Sequence, residues 1–148
     1  MAEDKKLILG VGDFYNIEAI GDYFDLRGEG RFSFGERAKD VTQAINEINS
    51  NKYWGVVMSS LVLSTGEDAD KYNFAAKKFS QFDSPPMIWR SGGLYVVEQS
   101  CKKGLITLVN AIAEEPADLM EATRLGAKCF SGISHIAEQN LKYFQSKL

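Results

Sequence analysis

The apolar residues of this chain follow two patterns, short unbroken runs and longer segments whose apolar positions lie three or four residues apart. Short unbroken runs are typical of strands that are buried on both faces of a parallel sheet. The sequence predicts strands at Lys6–Val11 and at residues 31–34, 55–59, 87–89 and 127–130.

The segments with helical spacing predict helices between these strands. Asp40 and Gln43 resemble a capping box at a helix start, and Pro116 suits the first turn of a helix that Gly126 ends. Residues 94–103 are predicted to be helical. The apolar segment 105–112 is ambiguous, because periodicity cannot separate a helix from a strand over so short a run, and we interpret it as a helix. The other apolar stripes are predicted at Ile17, Ile20 and Phe24, at Val41, Ala44, Ile45 and Ile48, at Tyr72, Ala75, Ala76 and Phe79, and at Ile133, Ile136, Ala137, Leu141 and Phe144.

Strands that alternate with helices predict a parallel sheet covered by helices on both faces. Right-handed crossovers then favour a three-layer, doubly wound α/β fold with the flavodoxin-like strand order 2-1-3-4-5. The segment after residue 94 contains one more helix than this order needs, so we expect an extra helical segment before the last strand. We expect residues 1–148 to form a single domain.

Composition narrows the range of partners. The net charge is −3 and the basic residues are dispersed, which disfavours nucleic acid as a partner. No run of about 18 apolar residues exists, so we expect no membrane span, and the first residues lack the apolar core of a signal peptide. The two cysteines, Cys101 and Cys129, have neither metal-ligand nor disulfide-scaffold spacing, so we expect free thiols in a cytoplasmic protein.

Ligand sites of such sheets lie at the carboxyl ends of the strands. The residues that follow the predicted strands are small and polar, and they suggest a ligand site formed by Asp13, Ser60, Arg90, Ser91 and Gly92. Hard cations prefer more than one carboxylate, and only Asp13 is well placed, so we expect neither a metal site nor a cofactor.

Two short segments resemble receiver domains of the CheY-like response-regulator family. Residues 86–91 are similar to the family's fourth strand, with Ser91 in its hydroxyl position, and Leu125, Gly126 and Ala127 match its approach to the fifth strand. The resemblance implies an acidic pair after the first strand, a phosphoacceptor Asp after the third, and a Lys-Pro pair after the fifth.

This chain departs from that pattern at the reactive positions. Ser60 (or Ser59, if the register shifts by one) stands where the acceptor Asp is expected, and the acidic pair is reduced to Asp13. The Lys-Pro pair falls near Ile133 and Ser134. The resemblance therefore implies a degenerate, or pseudo-, receiver that cannot form a phosphoaspartate, since this needs a carboxylate nucleophile, a metal ion and a lysine.

Several residues have a second interpretation. Asp13 would cap a turn or orient a ligand, and residues 90–93 would form a tight turn or bind an anion at a helix start. A Ser91–His135–Asp13 triad is conceivable, but a histidine at a helix start is commonly just exposed. The apolar region from Leu94 to Ile112 is either central to the fold or the surface through which the protein forms a homodimer.

Three functions remain in order of preference. The first is a non-catalytic signalling module of pseudo-receiver type that binds a partner protein. The second is a small-ligand or nucleotide-binding protein that uses the crevice at the strand ends. The third is a hydrolase or transferase using Ser91 or Ser60, which would require His135 within hydrogen-bond reach of a serine.

Overall fold

The computed structural model describes residues 5–83, 90–111, 116–131 and 135–148. Five parallel strands form one sheet in the order β2-β1-β3-β4-β5. The strands are β1 (Lys6–Val11), β2 (Phe32–Phe34), β3 (Gly55–Met58), β4 (Ile106–Ala111) and β5 (Lys128–Ser131). The helices are α1 (Phe14–Arg27), α2 (Val41–Ile48), α3 (Ala69–Ala76), a 3₁₀ helix (Lys77–Phe82), α4 (Ser91–Lys102), α5 (Pro116–Leu125) and α6 (Ile136–Ser146). The predicted fold class and strand order are confirmed.

Helix starts follow from local sequence. The Asp40 side chain accepts a hydrogen bond from the Gln43 backbone N–H at 2.8 Å, which satisfies one of the unpaired N–H groups of the first turn of α2. At the end of α1, the Gly28 N–H donates to the Phe24 carbonyl. Helix α2 therefore begins, and α1 ends, close to the predicted position.

Alternate residues of the strands face two separate cores. In β3, Val56 and Met58 pack with α2, α4 and α5, whereas Val57 packs on the other face with α1 and α6. In β4, Val109 and Leu108 divide between the same two cores. The carboxyl ends of the strands therefore lie between two layers of helices, and a side chain there opens toward one layer or the other.

The assignment of the fourth strand was wrong. Residues 105–112, interpreted above as a helix, contain β4, which pairs with β3 (Gly55 beside Ile106) and with β5 (Leu108 beside Lys128). A central strand is buried on both faces, so its apolar run has no alternation to distinguish it from a helix. The strand predicted at residues 87–89 lies outside the described residues.

This reassignment moves the extra helical segment. It does precede the last strand, but α3 and the 3₁₀ helix lie between β3 and α4, one crossover earlier than expected. Of the region from Leu94 to Ile112, residues 94–111 are described and are central to the fold, since Leu94, Val96, Val97, Leu108 and Val109 are fully buried. Within the described ranges, no helix is long and apolar enough to span a membrane.

Candidate functional site

Asp13 and Ser59 meet where β1 and β3 end side by side. The Asp13 backbone N–H donates to the Ser59 hydroxyl oxygen at 3.0 Å. The Asp13 carboxylate accepts the backbone N–H of Asn16 at 3.1 Å and caps α1. The cap interpretation of Asp13 is therefore confirmed. The residue is exposed.

Gly12 leaves no room for a side chain. Its φ angle of +122° is one that L-residues rarely adopt, and a Cβ atom at this position would lie 2.1 Å from the Ser59 Oγ atom. The Gly12 carbonyl accepts a hydrogen bond from the Arg37 guanidinium at 2.7 Å, and this guanidinium also lies over the ring of Phe14. Arg37 was not predicted at this site, because only the fold brings the segment after β2 beside β1.

Ser60 follows Ser59 at the end of β3. Its hydroxyl oxygen accepts the backbone N–H of Val62 at 3.0 Å, which holds the first turn of the segment that leaves the sheet. Both serine hydroxyl oxygens at this strand end thus accept backbone N–H groups of the protein itself.

Arg90 forms a buried ion pair rather than part of an open site. Its Nε atom lies 2.8 Å from an Asp118 carboxylate oxygen, and both side chains are less than a tenth exposed. The backbone N–H groups of Arg90 and Ser91 donate to an Asp83 carboxylate oxygen at 2.7 and 2.8 Å. This carboxylate occupies the position at the start of α4 where an external anion was considered. No local sequence signal pairs Arg90 with Asp83 or Asp118, because both come from other segments.

The predicted ligand residues are not brought together. Residues 90–93 begin α4 instead of following the fourth strand, and Ser91 and Gly92 line a cavity of about 480 Å³ on the α4 side of the sheet. Ser59 lines a separate cavity of about 320 Å³ between α1 and α6 on the other side. Ser91 and Ser59 therefore line two different cavities.

The proposed triad does not form. His135 precedes α6, 76% of its side chain is exposed, and its Nδ1 atom lies 3.5 Å from a Glu138 carboxylate oxygen. Ser91 lies in the helical layer on the opposite face of the sheet. A hydrogen bond from Lys142 holds the pKa of Glu138 below its usual value, so the carboxylate beside His135 is ionised at neutral pH.

Asn110 is a polar residue at the end of β4 that the sequence did not single out. Asn110 and Asn140 of α6 each donate an amide N–H to the other's carbonyl oxygen at 2.9 Å, and both side chains are buried. Its interpretation as part of a helix concealed its position at the strand ends.

Comparison with known proteins supports the fold. No protein-family model matches the chain, and no curated protein matches it. Solved structures of receiver domains do match, so the chain has the receiver fold of CheY-like response regulators.

One similar structure is a LuxR-family two-component response regulator from Aurantimonas sp. SI85-9A1, with 14% identity, a TM-score of 0.65, and 97% of this chain and 85% of that chain covered. Another is the response regulator domain of Thermotoga maritima CheB, with 17% identity, a TM-score of 0.60, and coverage of 97% and 93%. A third is a response regulator from Burkholderia pseudomallei with a phosphorylated aspartic acid, calcium ion and citrate, with 16% identity, a TM-score of 0.60, and coverage of 97% and 72%.

Proposed function

We propose that this protein is a non-catalytic signalling module of pseudo-receiver type, which binds a partner protein and does not accept a phosphoryl group on aspartate. The observation that carries the proposal is the contact between Gly12 and Ser59. A neutral hydroxyl and a residue without a side chain occupy the place where receiver chemistry needs carboxylates.

Phosphoryl transfer to aspartate needs a carboxylate nucleophile and a cation that offsets the charge of the incoming group. The end of β3 offers Ser59 and Ser60, whose hydroxyl oxygens accept backbone N–H groups. A second carboxylate beside Asp13 would have to stand at Gly12, where a Cβ atom would collide with Ser59. A lone Asp13 is a poor ligand set for a divalent cation.

The ends of the other two strands support the same proposal. With the fourth strand reassigned, Asn110 and Ala111 take the place expected of the family's Ser or Thr, and the Asn110 amide is paired with Asn140. The positions expected of the Lys-Pro pair, Ile133 and Ser134, lie outside the described residues, and neither is a lysine in the sequence.

The experiment that tests this proposal is intact-protein mass spectrometry after incubation with Mg²⁺ and acetyl phosphate. An active receiver domain in the same tube serves as the positive control. We expect the control to gain one phosphoryl group that hydroxylamine removes, and this protein to keep its mass. A hydroxylamine-sensitive phosphoryl adduct on this protein would overturn the proposal.

The partner-binding surface is proposed on the side of α5, β5 and α6, which corresponds to the usual interaction face of receivers. Met120 of α5 is 73% exposed there, and Leu119 lies beside it. We also propose that the protein forms a homodimer through this face. The region from Leu94 to Ile112, considered above as the dimer surface, contains fully buried residues such as Leu94 and Val109. Residues 1–148 would act as one cytoplasmic module, in keeping with Cys101 and Cys129, which form no disulfide within the described residues.

A further inference from the structure

A half-enclosed cavity of about 320 Å³ lies between α1 and α6, beside the carboxyl ends of β3 and β4. Ligand sites of proteins commonly occupy cavities of about this size, lined by apolar groups with a few polar groups that orient the ligand. Asp13 and Ser60 do not line this cavity, whereas Ser59 and Asn110 do. Binding of a ligand there would be an additional property of the strand ends, which the proposed signalling function does not require.

The walls of the cavity are apolar and its inner end is polar. Ala19 and Ile20 of α1 face Ile136 and Ala137 of α6 across it. Ser59 and Asn110, which are 7% and 2% exposed, form the inner end, since each lies two residues beyond a strand residue (Val57 or Leu108) that faces the same helical layer.

The two polar groups keep hydrogen-bonding capacity. Ser59 uses its hydroxyl oxygen to accept the Asp13 N–H, and within the described part of the chain its O–H proton has no acceptor. Asn110 uses one amide N–H and its carbonyl oxygen in the pair with Asn140, so its second amide N–H is left over. Both groups can therefore donate to an acceptor atom that enters the cavity, and donors left without an acceptor away from water are costly.

We propose that this cavity binds a small uncharged molecule with an apolar body the size of one aromatic ring and a carbonyl-type acceptor at one end. The acceptor receives hydrogen bonds from Ser59 and Asn110, and the body lies between Ile20 of α1 and Ile136 of α6.

The lining groups select against a charged ligand. Ser59 and Asn110 are neutral donors, and a buried carboxylate or phosphate between them would have no cation beside it at the inner end. Glu138, which also lines the cavity, has an ionised carboxylate that repels anions further.

The test uses defined probe molecules and two-dimensional ¹H–¹⁵N NMR spectra of the whole protein. Acetophenone and benzamide carry a ring and a carbonyl acceptor, benzoate replaces the acceptor by a charge, and ethylbenzene lacks an acceptor. We expect saturable shifts with acetophenone and benzamide, at the amides of residues 19, 20, 59, 110, 136 and 137. Ethylbenzene should bind about tenfold more weakly, which is the affinity equivalent of a lost hydrogen bond. Benzoate should be weaker still.

Variants locate the site. Ala137→Leu and Ala19→Leu each fill the space between α1 and α6 and should remove the saturable shifts, whereas Ala117→Leu, on the exposed surface of α5, should leave them unchanged. Two filling variants are used so that a loss of folding in one, seen as a collapsed spectrum, leaves the other to decide. The proposal is overturned if neither neutral carbonyl probe gives saturable shifts, if benzoate binds as tightly as benzamide, or if a folded filling variant binds like the wild type.

Discussion

At the scale of single residues, Gly12 and Ser59 carry the proposal that this receiver fold does not accept a phosphoryl group. Ser59 holds the Asp13 backbone, and Gly12 can adopt its φ of +122° only because it has no Cβ atom. The two residues are in contact, so a carboxylate side chain at position 12 would displace the Ser59 hydroxyl.

Gly12→Ala should lower the free energy of unfolding by about 1–3 kcal/mol, through backbone strain and contact with the Ser59 hydroxyl. Gly104→Ala is the matched control, because Gly104 also has a positive φ, +78°, but a Cβ atom there would have open space. Urea denaturation should show a larger loss for Gly12→Ala than for the control. Equal losses would mean that the contact with Ser59 has no energetic consequence.

Tyr53 predicts a pH dependence of stability. Burial, and then a hydrogen bond with Glu47, raises the pKa of Tyr53 well above its ordinary 10.0. The folded state therefore keeps the phenol proton more tightly than the unfolded state does. The resulting stabilisation is complete below pH 10.0 and is lost as the pH rises above it.

Chemical denaturation between neutral and alkaline pH measures this effect. The wild type should lose stability above about pH 10 more steeply than Tyr53→Phe. Tyr15→Phe, at a position that is 80% exposed, should behave like the wild type. If the stability of the wild type and of Tyr53→Phe depended on pH in the same way, the raised pKa of Tyr53 would not be the cause of the loss.

At the scale of elements, most helices and four strands could be predicted from the sequence, and the fourth strand could not. Amphipathic helices such as α2 face water on one side, so their apolar residues recur at helical spacing in the sequence. The Asp40 cap is a second sequence signal for the start of α2. β4 is covered on both faces and reads as a plain apolar run. The wrong assignment of the fourth strand also made part of the predicted site wrong. Ser91 was placed after a strand although it begins α4, and Asn110 was placed within a helix although it lies in β4.

The site could be predicted only where its residues are local. Asp13 caps a helix three residues ahead, which the sequence indicates, whereas the partners of Arg90 depend on how α4 packs against α5. Contacts between distant segments leave no local pattern.

The ion pair of Arg90 and Asp118 joins α4 to α5. Replacing only one of the two residues should lower the stability of the fold considerably. Asp118→Asn leaves a buried guanidinium without its counter-charge, and about 3–5 kcal/mol of stability should be lost. Replacing both partners, Arg90→Met with Asp118→Leu, should restore much of it, because no buried charge remains.

Thermal and urea denaturation of Asp118→Asn and of the double variant measure these changes in the free energy of unfolding. Arg124→Met is the matched control, because the Arg124 side chain is 67% exposed and its pair with Glu121 should contribute only about 0–1 kcal/mol. If Asp118→Asn costs no more than the control, the ion pair does not hold the two helices together.

At the scale of the whole molecule, the cavity and the proposed partner-binding surface have separate expected roles, and α6 borders both. The layer of α1 and α6 encloses the small cavity, whereas α5 and β5 present Met120 at the surface. Ligand binding and partner binding would then use different faces of one module.

Light scattering over a concentration series tests self-association through the α5 side. The wild type should approach the mass of a dimer as its concentration rises, and Met120→Glu should stay monomeric, because a charge replaces an apolar contact. Leu26→Glu, at a position of α1 that is 75% exposed, should associate like the wild type. A monomeric mass for the wild type at every concentration would contradict the proposed homodimer.

The most direct test of the central claim is a pair of ¹H–¹⁵N NMR spectra, recorded without and with Mg²⁺ and beryllofluoride, which mimics a phosphoryl group bound to a carboxylate. This measurement detects the bound state itself and does not depend on a slow transfer reaction. We predict that the amides of Gly12, Asp13, Ser59 and Ser60 keep their positions, because the end of β3 offers serines and Asp13 stands alone beside Gly12. Saturable shifts at these amides would show that the strand ends still hold a metal and a phosphoryl group, and would contradict the account.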